Sequence, residues 1–236
     1  MNPKLPPKSR KAETVNAIFS SIAGRYDLLN HLMTFAQDQL WRREVVRMAV
    51  LADRGWLLDI GAGTGGIAIA ARKQKPRLRI VATDFAVPMM RVGRRRAGAR
   101  NIAWCASDAL KLPFPDECFD AVVSGYLLRN VTDRQQAFRE QMRVVKPGGY
   151  VVCLETSPPP DNYLHTLILV YMKVVIPLIG RWLSGSKNAY TYLTESTRLF
   201  MKPSEMTGLM TNAGLVDVTY RRYMLGTIAI HRGKRP

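Results

Sequence analysis

Three carboxylates, Asp59, Asp84 and Asp108, recur at near-equal spacing, and the first is followed at once by the glycine-rich run Gly61-Ala62-Gly63-Thr64-Gly65-Gly66. Glycines without Cβ atoms let a backbone take positive φ and approach a ligand closely. The first amides of a helix that follows stay unpaired and available to that ligand. A turn of this kind grips a nucleotide-like molecule largely by main chain, and Gly61-x-Gly63-x-x-Gly66 also fits the dinucleotide fingerprint. The carboxylates separate the two readings. Asp84 lies 21 residues past Gly63, where it can accept from ribose hydroxyls. Asp108 can meet an adenine amino group. Asp59 can fix the turn and, through water, an amino-acid ammonium. A ribose, an adenine and a zwitterion together describe S-adenosylmethionine, whereas NAD would place a pyrophosphate at the helix N-terminus. Each acid alone reads as a turn or cap residue; their joint spacing carries the inference.

The elements that must position these residues alternate. Trp56 to Ile60 reads as a strand, a helix starts near Ile67, Leu78 to Thr83 is a strand, a helix starts near Val87, and Asn101 to Ala106 is a strand. Phe119 to Val123 is a fourth strand, Arg134 to Val144 a helix, and Tyr150 to Leu154 a fifth strand after a Lys146-Pro147-Gly148-Gly149 turn. This rhythm predicts a parallel sheet with right-handed crossovers, closed by an antiparallel pair at Leu215 to Tyr220 and Thr227 to His231. In such a sheet all three acids face one crevice at the carboxyl ends of the strands. The fold expected is α/β, of the class I S-adenosylmethionine-dependent methyltransferase type: Rossmann-like, with seven mostly parallel strands and a helical cap after strand five. Val15 to Trp41 and Gln39 to Leu51 are expected as helices ahead of the sheet. Residues 1–13 form a basic arm, and residues 14–236 one domain with a cap at about 157–213. Within the cap, Tyr163 to Leu183 is apolar nearly all round, which requires cover on more than one side. His165, Lys173, Pro177 and Arg181 interrupt it too often for a transmembrane span.

The chain has 236 residues and a formal charge of +17. That excess suits nucleic acid, an anionic membrane face or an acidic partner. Cys105, Cys118 and Cys153 form no CxxC pair, which fits a reducing cytosol. Met1 to Lys11 has no apolar h-region, so a cytoplasmic location is expected, with the inner membrane face as one site of action.

Longer motifs add a resemblance. Tyr26-Asp27-Leu28-Leu29-Asn30-His31-Leu32-Met33-Thr34, ending at Trp41, and Arg143-Val144-Val145-Lys146-Pro147-Gly148-Gly149-Tyr150-Val151-Val152-Cys153-Leu154-Glu155-Thr156-Ser157 resemble the two signatures of the ubiquinone/menaquinone biosynthesis C-methyltransferases. The likeness continues through Leu128-Arg129-Asn130-Val131-Thr132-Asp133, Tyr192-Leu193-x-Glu195-Ser196-x-Arg198 and Ile230-His231-Arg232-Gly233, covering the chain from about Phe19 to Gly233. It departs from the pattern at Leu29, Thr34 and Asp38, and the family's serine after strand four aligns with Gly125, beside Ser124. The resemblance implies methylation of a ring carbon of a polyprenylated quinol, with cofactor contacts at Thr64, Asp84, Asp108, Ala109 and the Ser124/Gly125 pair.

Such a reaction needs a phenol deprotonated and a ring aligned with the sulfonium methyl more than it needs a covalent intermediate. Arg129 and Asn130, just past the fourth strand, are the catalytic candidates: the guanidinium stabilises phenolate charge and the amide orients a hydroxyl or water. The base is a carboxylate, His231 or water. Tyr26, Tyr192 and Arg198 are candidates for a lid over the substrate. A naphthoquinol ring is expected ahead of a benzoquinol of ubiquinone biosynthesis. No metal is expected, nor nucleic acid as partner, while a homo-oligomer is compatible with the sequence. The competing reading is an RNA methyltransferase, supported by Arg91, Arg94, Arg95, Arg96 and Arg100, which otherwise form a solvated helix face. No Pro-Pro-aromatic element follows strand four, and no cysteine follows a proline. A non-catalytic partner of quinone enzymes would not need all three acids.

Overall fold

The structure is a computed structural model that describes residues 11–179 and 187–236. Most of the basic arm and residues 180–186, with Arg181, Trp182 and Leu183 of the apolar segment, lie outside the described residues. Three helices come first: α1 (Lys11–Ile22), α2 (Tyr26–Met33) and α3 (Asp38–Met48). α1 begins at Lys11, inside the stretch expected as arm. The alternating body is β1 (Trp56–Ile60), α4 (Gly66–Gln74), β2 (Arg79–Asp84), α5 (Val87–Arg94), β3 (Ile102–Ala106), β4 (Phe119–Gly125), α6 (Arg134–Val144) and β5 (Val145–Thr156). After β5 come α7 (His165–Val170), a π-helical turn (Tyr171–Val175), α8 (Lys187–Arg198) and α9 (Pro203–Asn212), then β6 (Val216–Tyr223) and β7 (Ile228–Lys234).

The seven strands form one sheet in the order β3-β2-β1-β4-β5-β7-β6, with β7 antiparallel to both its neighbours and the rest parallel. Strand alternation divides its apolar side chains between two layers. Leu57, Val123 and Val152 pack with Trp41, Ile67 and Ile80 on one face. Leu58, Val122 and Val151 pack with Phe138, Met206 and Met210 on the other. The order reverses between β1 and β4, the switch point at which such sheets bind ligands. There, Ile60 pairs with Thr83 and with Ser124. The next residues, Gly61, Asp84 and Gly125, therefore leave the sheet level with one another.

Three local features differ from the sequence expectations. Lys146-Pro147-Gly148-Gly149 is taken into β5, with a register irregularity opposite Phe119 and Ala121. α9, the last part of the expected cap, packs on α6 and β6 and so belongs to the body. The cap helix is not covered all round. Ile168 and Met172 are buried on its inner side, whereas Leu167, Val170, Val174 and Leu178 on its outer side are 49–62% exposed.

Candidate active site

The glycine turn is built by its neighbours. Gly61, Gly63 and Gly65 have φ of 64°, 56° and 76°, in the left-handed region that other residues enter at a cost. At Gly61 space is also limiting, since a Cβ there would lie 2.8 Å from Leu127 Cδ1. Asp84 closes the turn from β2: its Oδ2 accepts from Gly63 N–H at 2.7 Å and its Oδ1 from Ala86 N–H at 2.7 Å. Burial raises its pKa, opposed by these amide bonds. Asp59 works from below. It is 1% exposed, accepts from Ala68 N–H at 2.9 Å, and burial pushes its pKa up to about 7. Asp59 thus ties β1 to the first turns of α4.

Two cavities meet at the carboxyl edge of the sheet. The smaller, about 180 Å³, is lined by Gly61, Gly63, Asp84, Asp108, Ala109 and Gly125, with Asn130, Tyr26 and Tyr126 at one end. Asp108 faces it while its Oδ1 accepts from Leu110 N–H at 2.9 Å. Val15, Asn16 and Phe19 of α1 form part of its wall. The larger, about 570 Å³, lies beneath the cap and is mostly apolar, with Met33, Ile168, Met172 and Ile176 among its walls. Among the described residues its polar groups are Asn30, Thr34, Gln37, Thr156, Thr194, Thr197 and Thr227, the phenols of Tyr26, Tyr126 and Tyr171, and one cation, Arg129. Tyr26 and Tyr126 line both cavities. Burial raises the pKa of each, so both phenols stay neutral donors.

Arg129 is 3% exposed and held on two sides. Its Nη1 donates to Glu155 Oε2 at 3.1 Å, and its guanidinium lies 4.9 Å over the Tyr126 ring. Glu155, at the end of β5, also accepts from Leu128 N–H and Thr156 N–H. Burial raises the pKa of Glu155 and the Arg129 charge opposes that rise. Asn130 is fixed as firmly: its Nδ2 donates to Tyr126 O at 2.8 Å and its Oδ1 accepts from Tyr192 O–H at 3.1 Å. Tyr192 therefore reaches the site from α8 through Asn130.

Other candidates stand elsewhere. Thr64 is 2% exposed and its hydroxyl donates to Asp27 at 3.0 Å, below the turn and away from both cavities. Ser124 points into the sheet, 3.4 Å from Cys153 Sγ, so Gly125 alone of that pair faces the crevice. Arg198 sits at the surface, pairs with Glu195 at 3.0 Å and reaches neither cavity. His231 is fully buried on β7, 2.9 Å from Pro203 O, with its pKa lowered to about 4 by burial. It lines neither cavity, which removes it as a base. Arg91 and Arg94 on α5 and Arg95 just past its end are exposed, while Arg96 turns inward to Thr64 and Asp27. Tyr126, Glu155 and Asp27 were not candidates from the sequence. Glu155 stood within the second signature, in line with Arg129 only once β4 and β5 are paired. Tyr126 has φ of 59°, a conformation that its residue type does not announce.

A switch-point crevice with a positive-φ glycine turn, a carboxylate at the end of β2 and another after β3 defines a class I S-adenosylmethionine-dependent methyltransferase. Solved structures share the fold. A SAM-dependent methyltransferase of Thermotoga maritima superposes with TM-score 0.65 at 20% identity, covering 93% of this chain and 99% of that one. Phosphoethanolamine N-methyltransferase 2 of Haemonchus contortus, in complex with S-adenosyl-L-methionine, gives 0.62 at 14% identity over 83% of this chain and 52% of that one. By sequence, residues 7–235 match the ubiE/COQ5 methyltransferase family, and the chain belongs to it. The ubiquinone/menaquinone biosynthesis C-methyltransferase of Desulfotalea psychrophila is 44% identical over 94% of this chain and 91% of its own length. The demethylmenaquinone methyltransferases of Roseiflexus castenholzii and Thermus thermophilus are 44% and 41% identical, over 97% and 93% of this chain and 96% and 100% of theirs.

Proposed function

We propose that the protein methylates a ring carbon of a polyprenylated quinol, demethylmenaquinol being the substrate that gives menaquinol, and that it does so at the inner face of the membrane. The observation that carries this reading is the pair of adjoining cavities, one glycine-lined with Asp84 and Asp108 in its wall, the other apolar with the buried guanidinium of Arg129.

S-adenosylmethionine, when bound, supplies an electrophilic methyl group. The residues of the smaller cavity fit it: the Gly61–Gly63 backbone admits close approach, Asp84 keeps lone pairs for ribose hydroxyls, and Asp108 and Ala109 stand where adenine would lie. Asp59 serves by holding the turn. On the substrate side, Arg129 stabilises the oxyanion of the ionised quinol, and Glu155 keeps the guanidinium from swinging away. Asn130, locked by Tyr126 and Tyr192, orients the group that enters between the cavities. Among the described residues no carboxylate or histidine lines the larger cavity. Loss of the phenol proton is favoured by the Arg129 charge. The ring carbon then takes the methyl as the methyl–sulfur bond breaks. The proton on that carbon shifts to the ring oxygen, restoring the aromatic quinol. A guanidinium stays protonated throughout and acts by charge, not as a base.

Expression in a bacterial strain blocked at both quinol C-methylations tests the pathway. Menaquinone should return. Return of ubiquinone alone would move the substrate to the benzoquinol, and return of neither would remove the quinol reading.

A further inference from the structure

Three segments far apart in sequence converge on the rim of the larger cavity, and each turns apolar side chains outward. Phe35, between α2 and α3, and Leu225, between β6 and β7, line the cavity yet are 68% and 61% exposed. Leu167 of α7 does the same at 62%. Outside the cavity, Val170, Val174 and Leu178 extend the strip along one side of the cap helix, at helical spacing. The segments are joined. Tyr171 O–H donates to Met33 O at 2.8 Å and its ring lies 5.8 Å from Phe35, while a Cβ on Gly226 would be 3.1 Å from Pro160 at the cap's root.

Single exposed apolar residues are ordinary, but a contiguous exposed patch marks an interaction site. Two further observations narrow the partner. Phe35 and Ala36 have φ of 50° and 63°, and Met224 and Leu225 have φ of 47° and 55°. Both tips thus adopt left-handed backbone, a strain that persists where function uses it. Residues 31–37, 163–179 and 218–228 contain no Asp or Glu, and their fixed charges are Lys173, Arg221 and Arg222, of which Arg221 also reaches Glu44 at 3.3 Å. An apolar rim with Lys173 and Arg222 exposed along it complements a surface that is hydrocarbon within and anionic at its border.

We propose that this rim docks the protein on an anionic bilayer, with Phe35, Leu225, Leu167 and the outer side of the cap helix entering the acyl layer. The larger cavity then opens into lipid, and a polyprenyl tail stays in hydrocarbon while its ring reaches Arg129. The proposal rests on the quinol reading and specifies the surface through which that substrate arrives.

The test is flotation of the full chain with vesicles of phosphatidylcholine, alone or mixed with phosphatidylglycerol. Two variants accompany the wild type: Val170→Ser/Val174→Ser/Leu178→Ser, outside the cavity, and Phe35→Ser/Leu225→Ser at the tips. The wild type should float with the mixed vesicles, and each variant should partition about tenfold less or weaker still. The triple variant should methylate a short-tailed, water-dispersed quinol as the wild type does, yet fail on a long-tailed quinol in vesicles. Variants that float like the wild type would overturn the docking surface. So would a wild type that stays off vesicles and forms dimers that the triple variant loses, in favour of a second copy on this face. Flotation lost in the variants with no quinol methylated by the wild type would uphold the surface and overturn the quinol reading instead.

Discussion

Arg129 and Glu155 form a buried ion pair in which one partner faces the larger cavity and the other is spent on backbone amides. Removing Arg129 outright would strand Glu155, so the informative change is Arg129→Lys. It keeps a charge but loses the planar fork that can hold Glu155 and a phenolate together. Turnover should fall by roughly 10–100-fold with cofactor affinity by calorimetry unchanged; an equal loss of affinity would make Arg129 a structural residue. Asp84→Ala removes the acceptor for two amides and for a ribose, and should weaken cofactor binding by roughly 10–100-fold. Unchanged affinity would sink the ribose assignment. Asp59 offers a test by pH. Its folded pKa of about 7 stands above the ordinary carboxylate value of 3.8. Its contribution to stability is therefore fully present below about pH 4 and declines as pH rises to 7, because the folded state must then hold a buried charge. Asp59→Asn retains an oxygen for Ala68 N–H and carries no charge. Its melting temperature should gain on the wild type between about pH 5 and pH 8, and a constant difference would contradict the burial argument. At this scale the sequence located Asp84, Asp108 and Gly63, because strand ends and turns place them whatever the packing. It did not show that Asp59 turns toward Ala68, Ser124 toward Cys153 or Arg198 toward Glu195, since a side chain's direction depends on elements paired from afar.

The strands and most helices were legible because apolar runs of four to six residues alternate with turn residues, and β1 to β5 fall where those runs lie. The cap was less so. Its apolar residues encircle the helix, which gives no clue to which side is covered, and the π-helical turn at Tyr171–Val175 has no pattern of its own. α9 could not be separated from the cap without knowing that it packs on α6. Among the elements, α1 carries a distinct expectation. The cavity it walls is about 180 Å³, below the roughly 300–1,000 Å³ of small-molecule sites. α1 is therefore the wall expected to shift when the cofactor enters. Amide exchange across Val15–Ile22 should change on adding S-adenosylmethionine while β4 and β5 stay unaltered. Identical traces in α1 would mean that the crevice admits the cofactor as it stands.

For the whole molecule, the two cavities share Tyr26 and Tyr126, one lying at the switch point and the other beneath the cap. Among the described residues no helix is long and apolar enough to cross a membrane. The +17 charge pointed to an anionic partner but not to a face. The rim joins segments about 130 and 50 residues apart, which no local pattern reveals. In the proposed reaction a methyl group passes from the glycine-lined cavity to a quinol ring held beside Arg129. Incubating the protein with trideuteriomethyl-labelled S-adenosylmethionine and reduced demethylmenaquinone, followed by mass spectrometry of the extracted lipid, tests it directly. One trideuteriomethyl group on the naphthoquinol ring is the expected product. An unlabelled ring, with the cofactor shown to be bound, would contradict it.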